Sequence, residues 1–224
     1  MTDPNRRQLL DTAHALGEIC NELVFLGGSI VGLLITDTGS QPVRPTEDVD
    51  VIVEVTSRIA YQQLAVQIQN KGFQPDPKGP ICRYVCGGLV IDVMPLDESI
   101  LGFSNRWYPS AMKEFRMLAL NAQISIKVVT APVFIATKLE AYKARGKNDP
   151  MMSHDLEDIL LVIEGRKELL DEIQIAPLEV QEFLMQEFKE LWETVFFDDL
   201  IAGTFQVTRG NIVRDRIAAI SGQK

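Results

Sequence analysis

The sequence has few of the residues that build disulfide frameworks or zinc centres. Its 224 residues include three cysteines and two histidines. Three cysteines do not make the paired framework of a small secreted domain. Cys82 and Cys86 lie in a predicted strand, where four residues span roughly 13 Å, too far for two thiolates on one zinc ion. We therefore expect buried, reduced thiols.

Long hydrophobic runs and an excess of positive charge are also missing. The longest apolar runs, such as residues 159–163, are far too short to span a bilayer, and no apolar signal core follows the polar N-terminus. We therefore expect a cytoplasmic protein that has no membrane partner. The formal net charge is −9, which argues against nucleic-acid binding by bulk electrostatics.

Basic residues nevertheless cluster in one segment. Lys138, Lys143, Arg145 and Lys147 are opposed there only by Glu140. On a helix, residues 138 and 145 lie two turns apart on nearly one face, and residues 143 and 147 share another. Two such stripes would form a local surface able to follow a phosphate backbone.

Hydrophobic patterning predicts a mixed α/β (α+β) fold. The order of predicted elements is helix, strand, helix, strand, helix, three strands and then helices, which is typical of a mixed sheet followed by a helical region. We expect a core over residues 1–130 that includes the N-terminal helix, and a helical C-terminal region over 131–224. The main predicted strands are 23–26, 48–55, 81–85, 89–94 and 124–129, and the main predicted helices are 6–22, 58–71, 132–145 and 154–164.

The first candidate binding feature is the turn Gly27-Gly28-Ser29, between a predicted strand and a predicted helix. Backbone N–H groups at such a turn can bind an anion, and glycine lets the backbone approach a phosphate closely. The Ser29 hydroxyl adds a donor. The alternative is an ordinary turn with no ligand.

Three aspartates form the second candidate feature. Asp48 and Asp50 are two residues apart on a predicted strand, so their side chains share a face with Cα atoms roughly 6.7 Å apart. That spacing allows both carboxylates to converge on one or two Mg²⁺ ions. Asp92 interrupts another apolar strand, where an unpaired carboxylate would be costly. On a neighbouring strand it would complete a metal-binding set. The alternative for Asp48 and Asp50 is a solvated strand start.

These features together resemble the DNA polymerase β-like nucleotidyltransferase superfamily. The resemblance implies a polymerase β-like core in which Gly28 and Ser29 hold the phosphates of an NTP co-substrate. It implies that Asp48 and Asp50 bind Mg²⁺ (or Mn²⁺), and that Asp92 helps to activate an acceptor hydroxyl. The implied reaction transfers a nucleotide to that hydroxyl and releases pyrophosphate.

A closer resemblance covers about residues 20–165. Residues 44–50, Arg-Pro-Thr-Glu-Asp-Val-Asp, are similar to the Arg-x-Thr-x-Asp-x-Asp motif of the AbiEii-like toxin nucleotidyltransferases of type IV toxin–antitoxin systems. Lys138 matches a lysine in an apolar helix of that family, and Asp155 and Asp158 match its late Asp motif. As a cation, Lys138 can neutralise NTP phosphates.

The resemblance also suggests roles for the residues around these motifs. Asp155 would orient Lys138 or hold the nucleotide, and Asp158 would lie on the same helix face. Alternatively, Asp155 is a helix N-terminal acid, and Lys138 lies on a solvated face. Arg44 would contact a phosphate and Thr46 would brace the loop, unless both belong to a turn without function.

The acceptor is open at this stage. The toxin resemblance implies the 3′ end of a tRNA, and an antitoxin partner encoded nearby. The acidic chain would also suit a cationic small molecule such as an aminoglycoside, and a protein hydroxyl is a third candidate. A non-enzymatic alternative is an inactive nucleotidyltransferase fold that binds a partner; the intact set Asp48, Asp50 and Asp92 weighs against it.

Overall fold

The computed structural model describes residues 3–145 and 149–223, which form two compact units. The sheet unit comprises residues 3–32 and 44–130. The helical unit comprises residues 33–43 together with 131–145 and 149–223. The protein is therefore mixed α/β, with strands in the first unit and mainly helices in the second. The segment 33–43, rich in Gly, Ser, Pro and Asp towards its end, belongs to the helical unit.

Within the described residues, seven strands form one mixed sheet in the sheet unit. The strand order is β3-β4-β5-β2-β1-β7-β6. β2 runs parallel to β5 and β1 runs parallel to β7, whereas the other neighbours are antiparallel. The strands are β1 (Leu23–Leu26), β2 (Val49–Val53), β3 (Gln74–Pro75), β4 (Arg83–Cys86), β5 (Leu89–Pro95), β6 (Phe115–Ala119) and β7 (Ser125–Val129).

The local sequence explains several of these elements. The apolar run of β1 is buried at every residue. Gly87 and Gly88 join β4 to β5 with φ angles of 55° and 88°, the left-handed values that a tight hairpin turn requires. The strands predicted at 81–85 and 89–94 therefore correspond to β4 and β5, which form a hairpin. Ser57 caps the first turn of the helix that follows β2, because its Oγ accepts a hydrogen bond of 3.1 Å from the Ala60 N–H.

Helices precede, connect and flank the strands of the sheet. The first begins at Arg6, and spacings of three and four residues place Leu9, Thr12 and Ala13 on its buried side. The helices up to residue 111 are α1 (Arg6–Leu16), α2 (Val31–Leu34), α3 (Arg58–Asn70), α4 (Glu98–Leu101) and α5 (Tyr108–Ala111), with 3-10 turns at Gly17–Glu22 and Gly28–Ile30.

The helical unit is built around a helix that is buried on most of its surface. This helix, α6, packs against α7 and α9, and α9 packs against α11. Its run from Ala131 to Thr137 is buried at every residue, which is typical of a central helix. The described helices are α6 (Ala131–Ala144), α7 (His154–Gly165), α8 (Leu169–Ile175), α9 (Leu178–Trp192), α10 (Phe197–Thr204) and α11 (Val207–Ser221), with a 3-10 turn at Pro150–Met152.

Sequence patterning missed the weakest elements. β6 lies at one end of the sheet and each of its residues is half-buried or exposed, so it lacks the alternation that marks a strand. β3 is only two residues long. No helix in residues 3–145 or 149–223 is both long enough and apolar enough to cross a membrane.

The three cysteines are free, which agrees with the expected reduced thiols. Cys20 and Cys82 are buried, but Cys86 is only half-buried, so the expectation of burial is wrong for that residue. Burial raises the pKa of the Cys82 thiol to about 12. A thiol with so high a pKa is a poor nucleophile and a poor metal ligand at neutral pH.

Candidate active site

The aspartates that the sequence singles out lie on two adjacent strands of the sheet. β2 and β5 pair in parallel, and Asp50 is directly opposite Asp92 in that register. Asp48 immediately precedes β2. Asp92 therefore lies on the strand adjacent to β2, which confirms the expectation for that residue. All three aspartates lie in one region of the sheet.

An arginine that the sequence analysis did not select joins two of these aspartates. Arg83 Nε donates to Asp92 Oδ1 at 2.8 Å, and Arg83 Nη2 donates to Asp92 Oδ2, also at 2.8 Å. The same Nη2 donates to Asp48 Oδ2 at 2.5 Å. Asp48 and Asp92 therefore converge on one nitrogen atom, and they lie on the same face of the sheet.

The environment of this contact keeps Arg83 charged. The hydrogen bonds to Asp92 raise the pKa of the guanidinium further above its usual value. The side chain of Arg83 is 24% exposed, against 32% for Asp48 and 10% for Asp92. The site is thus partly screened from water, and a charged bidentate pair in such a place is stronger than one on an open surface.

The donor chemistry at this site is suited to a hard cation. The set offers carboxylate oxygens, which are the ligands that Mg²⁺ prefers, and two of them already point at one position. In the described part of the chain, however, no group of three His, Cys, Asp or Glu side chains is arranged to hold a metal ion. At Asp48 and Asp92 the shared position is taken by the Arg83 guanidinium.

The third carboxylate, Asp50, lies against the glycine turn. A Cβ built on Gly27 would be 1.8 Å from Asp50 Oδ2, and Gly27 has a φ angle of 74°. Only glycine is compatible with both conditions. The Gly27-Gly28-Ser29 turn and the aspartates are therefore neighbours. Only Gly28 and Ser29 of this turn were assigned a role from the sequence, but the close contact with Asp50 requires glycine at residue 27.

Ser29, the last residue of that turn, is buried away from any partner for its hydroxyl group among the residues that the structure describes. It is fully buried, and among residues 3–145 and 149–223 no group makes a hydrogen bond with its Oγ. Gly28 is buried too. A buried hydroxyl without a partner costs about 1–3 kcal/mol, so a ligand oxygen that accepted a hydrogen bond from Ser29 would remove this cost.

The loop before Asp48 is held by another residue that the sequence analysis missed. Asn5 is 2% exposed, its Nδ2 donates to the Arg44 carbonyl at 3.0 Å, and its Oδ1 accepts from the Thr46 N–H at 2.9 Å. Thr46 Oγ1 donates to the carbonyl of Asp48 at 3.3 Å. Thr46 thus braces this loop, as expected. The phosphate contact expected of Arg44 stays a prediction.

The remaining candidate residues form a charged cluster inside the helical unit. Lys138 on α6 lies 3.1 Å from Asp155 Oδ1 and 2.7 Å from Asp158 Oδ2, both on α7. The side chains are 12%, 4% and 1% exposed, respectively. The alternative of a solvated Lys138 is therefore wrong, whereas the expected contact between Asp155 and Lys138 is confirmed.

The basic stripes expected on α6 are paired with acids. Besides Lys138, Arg145 contacts Asp155, and Lys143 Nζ lies 2.5 Å from Glu187 Oε1 on α9. Lys147 lies outside the described residues. Carboxylates on α7 and α9 therefore offset the charge of the described members of the stripes, and the contact of this segment with a phosphate backbone stays a prediction. The neutralisation of NTP phosphates expected of Lys138 stays a prediction.

Sequence patterns contained weak signals for the residues that were missed. Arg83 opens the strand before Gly87-Gly88, and the hairpin register pairs it with Asp92. Gly27 belongs to the Gly-Gly pair from which only Gly28 was chosen.

Comparison of the chain with models of known protein families and with curated proteins gave no match.

Proposed function

We propose that this protein is a metal-dependent nucleotidyltransferase with a polymerase β-like core. The observation that carries the proposal is the convergence of Asp48 and Asp92, from two adjacent segments of the sheet, on one cationic nitrogen. Asp50 is two residues after Asp48 and is paired with Asp92 across the two strands. Its side chain lies against Gly27 of the Gly27-Gly28-Ser29 turn. Carboxylates can bind the divalent ions that assist nucleotidyl transfer, and a glycine turn lets the backbone approach a phosphate closely.

Asp48, Asp50 and Asp92 would hold Mg²⁺ or Mn²⁺ through their carboxylate oxygens. When bound, such an ion stabilises charge on the attacking and leaving oxygens of an in-line displacement. The protein's own residues bind the NTP and move the proton. The acceptor oxygen forms a bond to the α-phosphorus, the bond from that phosphorus to the bridging oxygen of pyrophosphate breaks, and Asp92 accepts the hydroxyl proton.

The phosphates of the NTP are assigned to Gly28, Ser29 and Arg44 of the sheet unit, and a phosphate-binding role for Lys138 is what the toxin resemblance implies. The Ser29 hydroxyl supports this assignment, because a phosphate oxygen would give a partner to a donor that is otherwise buried without one among the described residues. Lys138 is held by Asp155 and Asp158 on α7, so those two acids orient the ammonium group. Arg44 lies in the loop that Asn5 and Thr46 brace.

The acceptor that we propose is the 3′ end of a tRNA, with an antitoxin as a partner, as the toxin resemblance implies. A cationic small molecule of the aminoglycoside type is the second candidate. The observation that favours it is the pairing of Lys143 and Arg145 with carboxylates, which reduces the basic surface available to RNA. The net charge of −9 points the same way.

One experiment tests the activity and separates the two acceptors. The purified protein is incubated with Mg²⁺ and each α-labelled NTP, first with total tRNA and then with a panel of aminoglycosides. We expect label on tRNA that is absent with excess chelator and absent with Asp48→Asn. Label on an aminoglycoside and none on RNA would decide for the second acceptor. No transfer from any NTP to either acceptor would contradict the proposal as stated.

A further inference from the structure

Arg83 is at the position where two of the three aspartates converge. Its Nη2 is shared by Asp48 and Asp92, and its Nε closes a second bond to Asp92. Both carboxylate oxygens of Asp92 therefore accept hydrogen bonds from one guanidinium. An ion that bridged Asp48 and Asp92 would have to take the position that this guanidinium nitrogen holds between them.

Electrostatics explain why a cation is needed at this point. Three carboxylates on neighbouring segments of one sheet repel one another, and Asp92 is only 10% exposed, so water screens that repulsion poorly. One guanidinium offsets part of this charge. A divalent ion would offset more of it at the same carboxylates, so the two cations are alternatives.

We propose that Arg83 is an internal counter-ion that competes with the divalent cation, so that metal entry requires Arg83 to leave Asp48 and Asp92. This inference rests on the proposed function, because it takes those aspartates to be the metal ligands. Arg83 is thus a positioning residue. It keeps the carboxylates together in the metal-free protein and frees Asp92 as it withdraws.

A glycine before β4 leaves space for the Arg83 side chain beside Asp48 and Asp92. It is the first residue of β4, after the turn that contains Gly79. A Cβ built on Gly79 would be 2.7 Å from Arg83 Cδ, so the missing side chain at residue 79 makes space for the arginine stem. Because the Arg83 side chain is 24% exposed, it has a route to solvent when it withdraws.

Direct measurement of Mn²⁺ binding tests the inference without any activity assay. Calorimetric titration with Mn²⁺ alone compares the unaltered protein with Arg83→Gln. We expect Arg83→Gln to bind Mn²⁺ about tenfold more tightly than the unaltered protein. The reason is that the metal ion no longer has to displace the charge-assisted hydrogen bonds between Arg83 and the carboxylates. Arg58→Gln is the matched control: it removes the same charge from the sheet unit, at an exposed residue that contacts the Ser99 carbonyl. It should leave Mn²⁺ affinity unchanged.

Two further variants locate the effect and guard against misfolding. Asp48→Asn added to Arg83→Gln should remove the gain in affinity, because the gain is proposed to arise at Asp48 and Asp92. Arg83→Lys keeps the charge but cannot bridge both carboxylates with a planar fork, so its Mn²⁺ affinity should be intermediate. It serves as the test variant if Arg83→Gln does not fold.

The outcomes distinguish this inference from the proposed function. Tighter binding by Arg83→Gln, with no change in Arg58→Gln, supports the inference. Equal or weaker binding by folded Arg83 variants overturns the counter-ion role and leaves the proposed function standing. No Mn²⁺ binding by any of these proteins overturns the inference together with the metal requirement of the proposed function.

Discussion

The Asp50 side chain lies directly against the backbone of Gly27. A Cβ at residue 27 would come within 1.8 Å of Asp50 Oδ2 and 2.7 Å of Asp50 Cβ. The second of these atoms is fixed to β2, so rotation of the Asp50 side chain cannot relieve the overlap. The glycine turn and β2 therefore pack closely at the contact between Gly27 and Asp50, which leaves no space for a side chain at residue 27.

We expect Gly27→Ala to destabilise the protein by about 3 kcal/mol, the sum of left-handed backbone strain and overlap with Asp50. Urea unfolding measures this change. Gly17→Ala is the control, because Gly17 also combines a positive φ of 60° with an extended ψ of −128°, but a Cβ added there would meet, among the described residues, only the flexible end of Lys71, at 3.3 Å. It should cost only the backbone strain, about 1–2 kcal/mol. Equal losses in the two variants would contradict the contact.

We expect Asp48→Asn to reduce nucleotidyl transfer about 10³-fold or more while the protein stays folded, because an amide is a poor ligand for a divalent cation. Labelled-NTP turnover and circular dichroism measure the two properties. Asp11→Asn is the control, since Asp11 pairs with the exposed Arg7 on α1. Transfer that persists in Asp48→Asn at the unaltered rate would refute the assigned role.

We expect Lys138→Ala to lower the free energy of unfolding by about 3 kcal/mol, because it removes a cation from beside the buried carboxylates of Asp155 and Asp158. Lys143→Ala is the control; it breaks a more exposed pair with Glu187 and should cost about 1 kcal/mol. Denaturant titration of the two variants gives the comparison. Similar small losses would mean that the buried cluster contributes little to stability.

Lys138→Arg separates stability from nucleotide binding. Arginine keeps the positive charge beside Asp155 and Asp158, so we expect stability within about 1 kcal/mol of the unaltered protein. Because a guanidinium presents its donors differently from an ammonium, we expect KM for the NTP to rise about tenfold. Restored stability with an unchanged KM would assign Lys138 a structural role only.

We expect part of the acid sensitivity of the helical unit to come from Asp37. The backbone N–H of Gly39, and next Arg209, lower the pKa of Asp37 from 3.8 to about 2. Because the folded pKa is depressed, Asp37 stabilises the fold above about pH 4, and this contribution is lost as the pH falls towards 2. The gap in urea midpoint between the unaltered protein and Asp37→Ala should close over that window. A gap that is constant from pH 7 to pH 2 would contradict this.

The sequence by itself determined the features that depend on neighbours along the chain. A spacing of two residues placed Asp48, just before β2, on the same side as Asp50 within β2, and two glycines determined the hairpin at residues 87 and 88. The helix predicted over residues 132–145 corresponds to α6 (Ala131–Ala144). These features follow from backbone sterics and from the periodicity of hydrophobic residues over short segments. Both can be determined from the order of residues along the chain.

Only the tertiary structure decided which segments meet. β2 pairs with β5 across a crossover, and this pairing, with the hairpin register, brings Arg83 between Asp48 and Asp92. Likewise, α7 and α9 bring acids to the basic residues of α6, so a stripe that looks cationic in sequence is paired in the fold. Charge pairing depends on distances through space, and residues far apart along the chain acquire those distances only when the sheet and the helices pack.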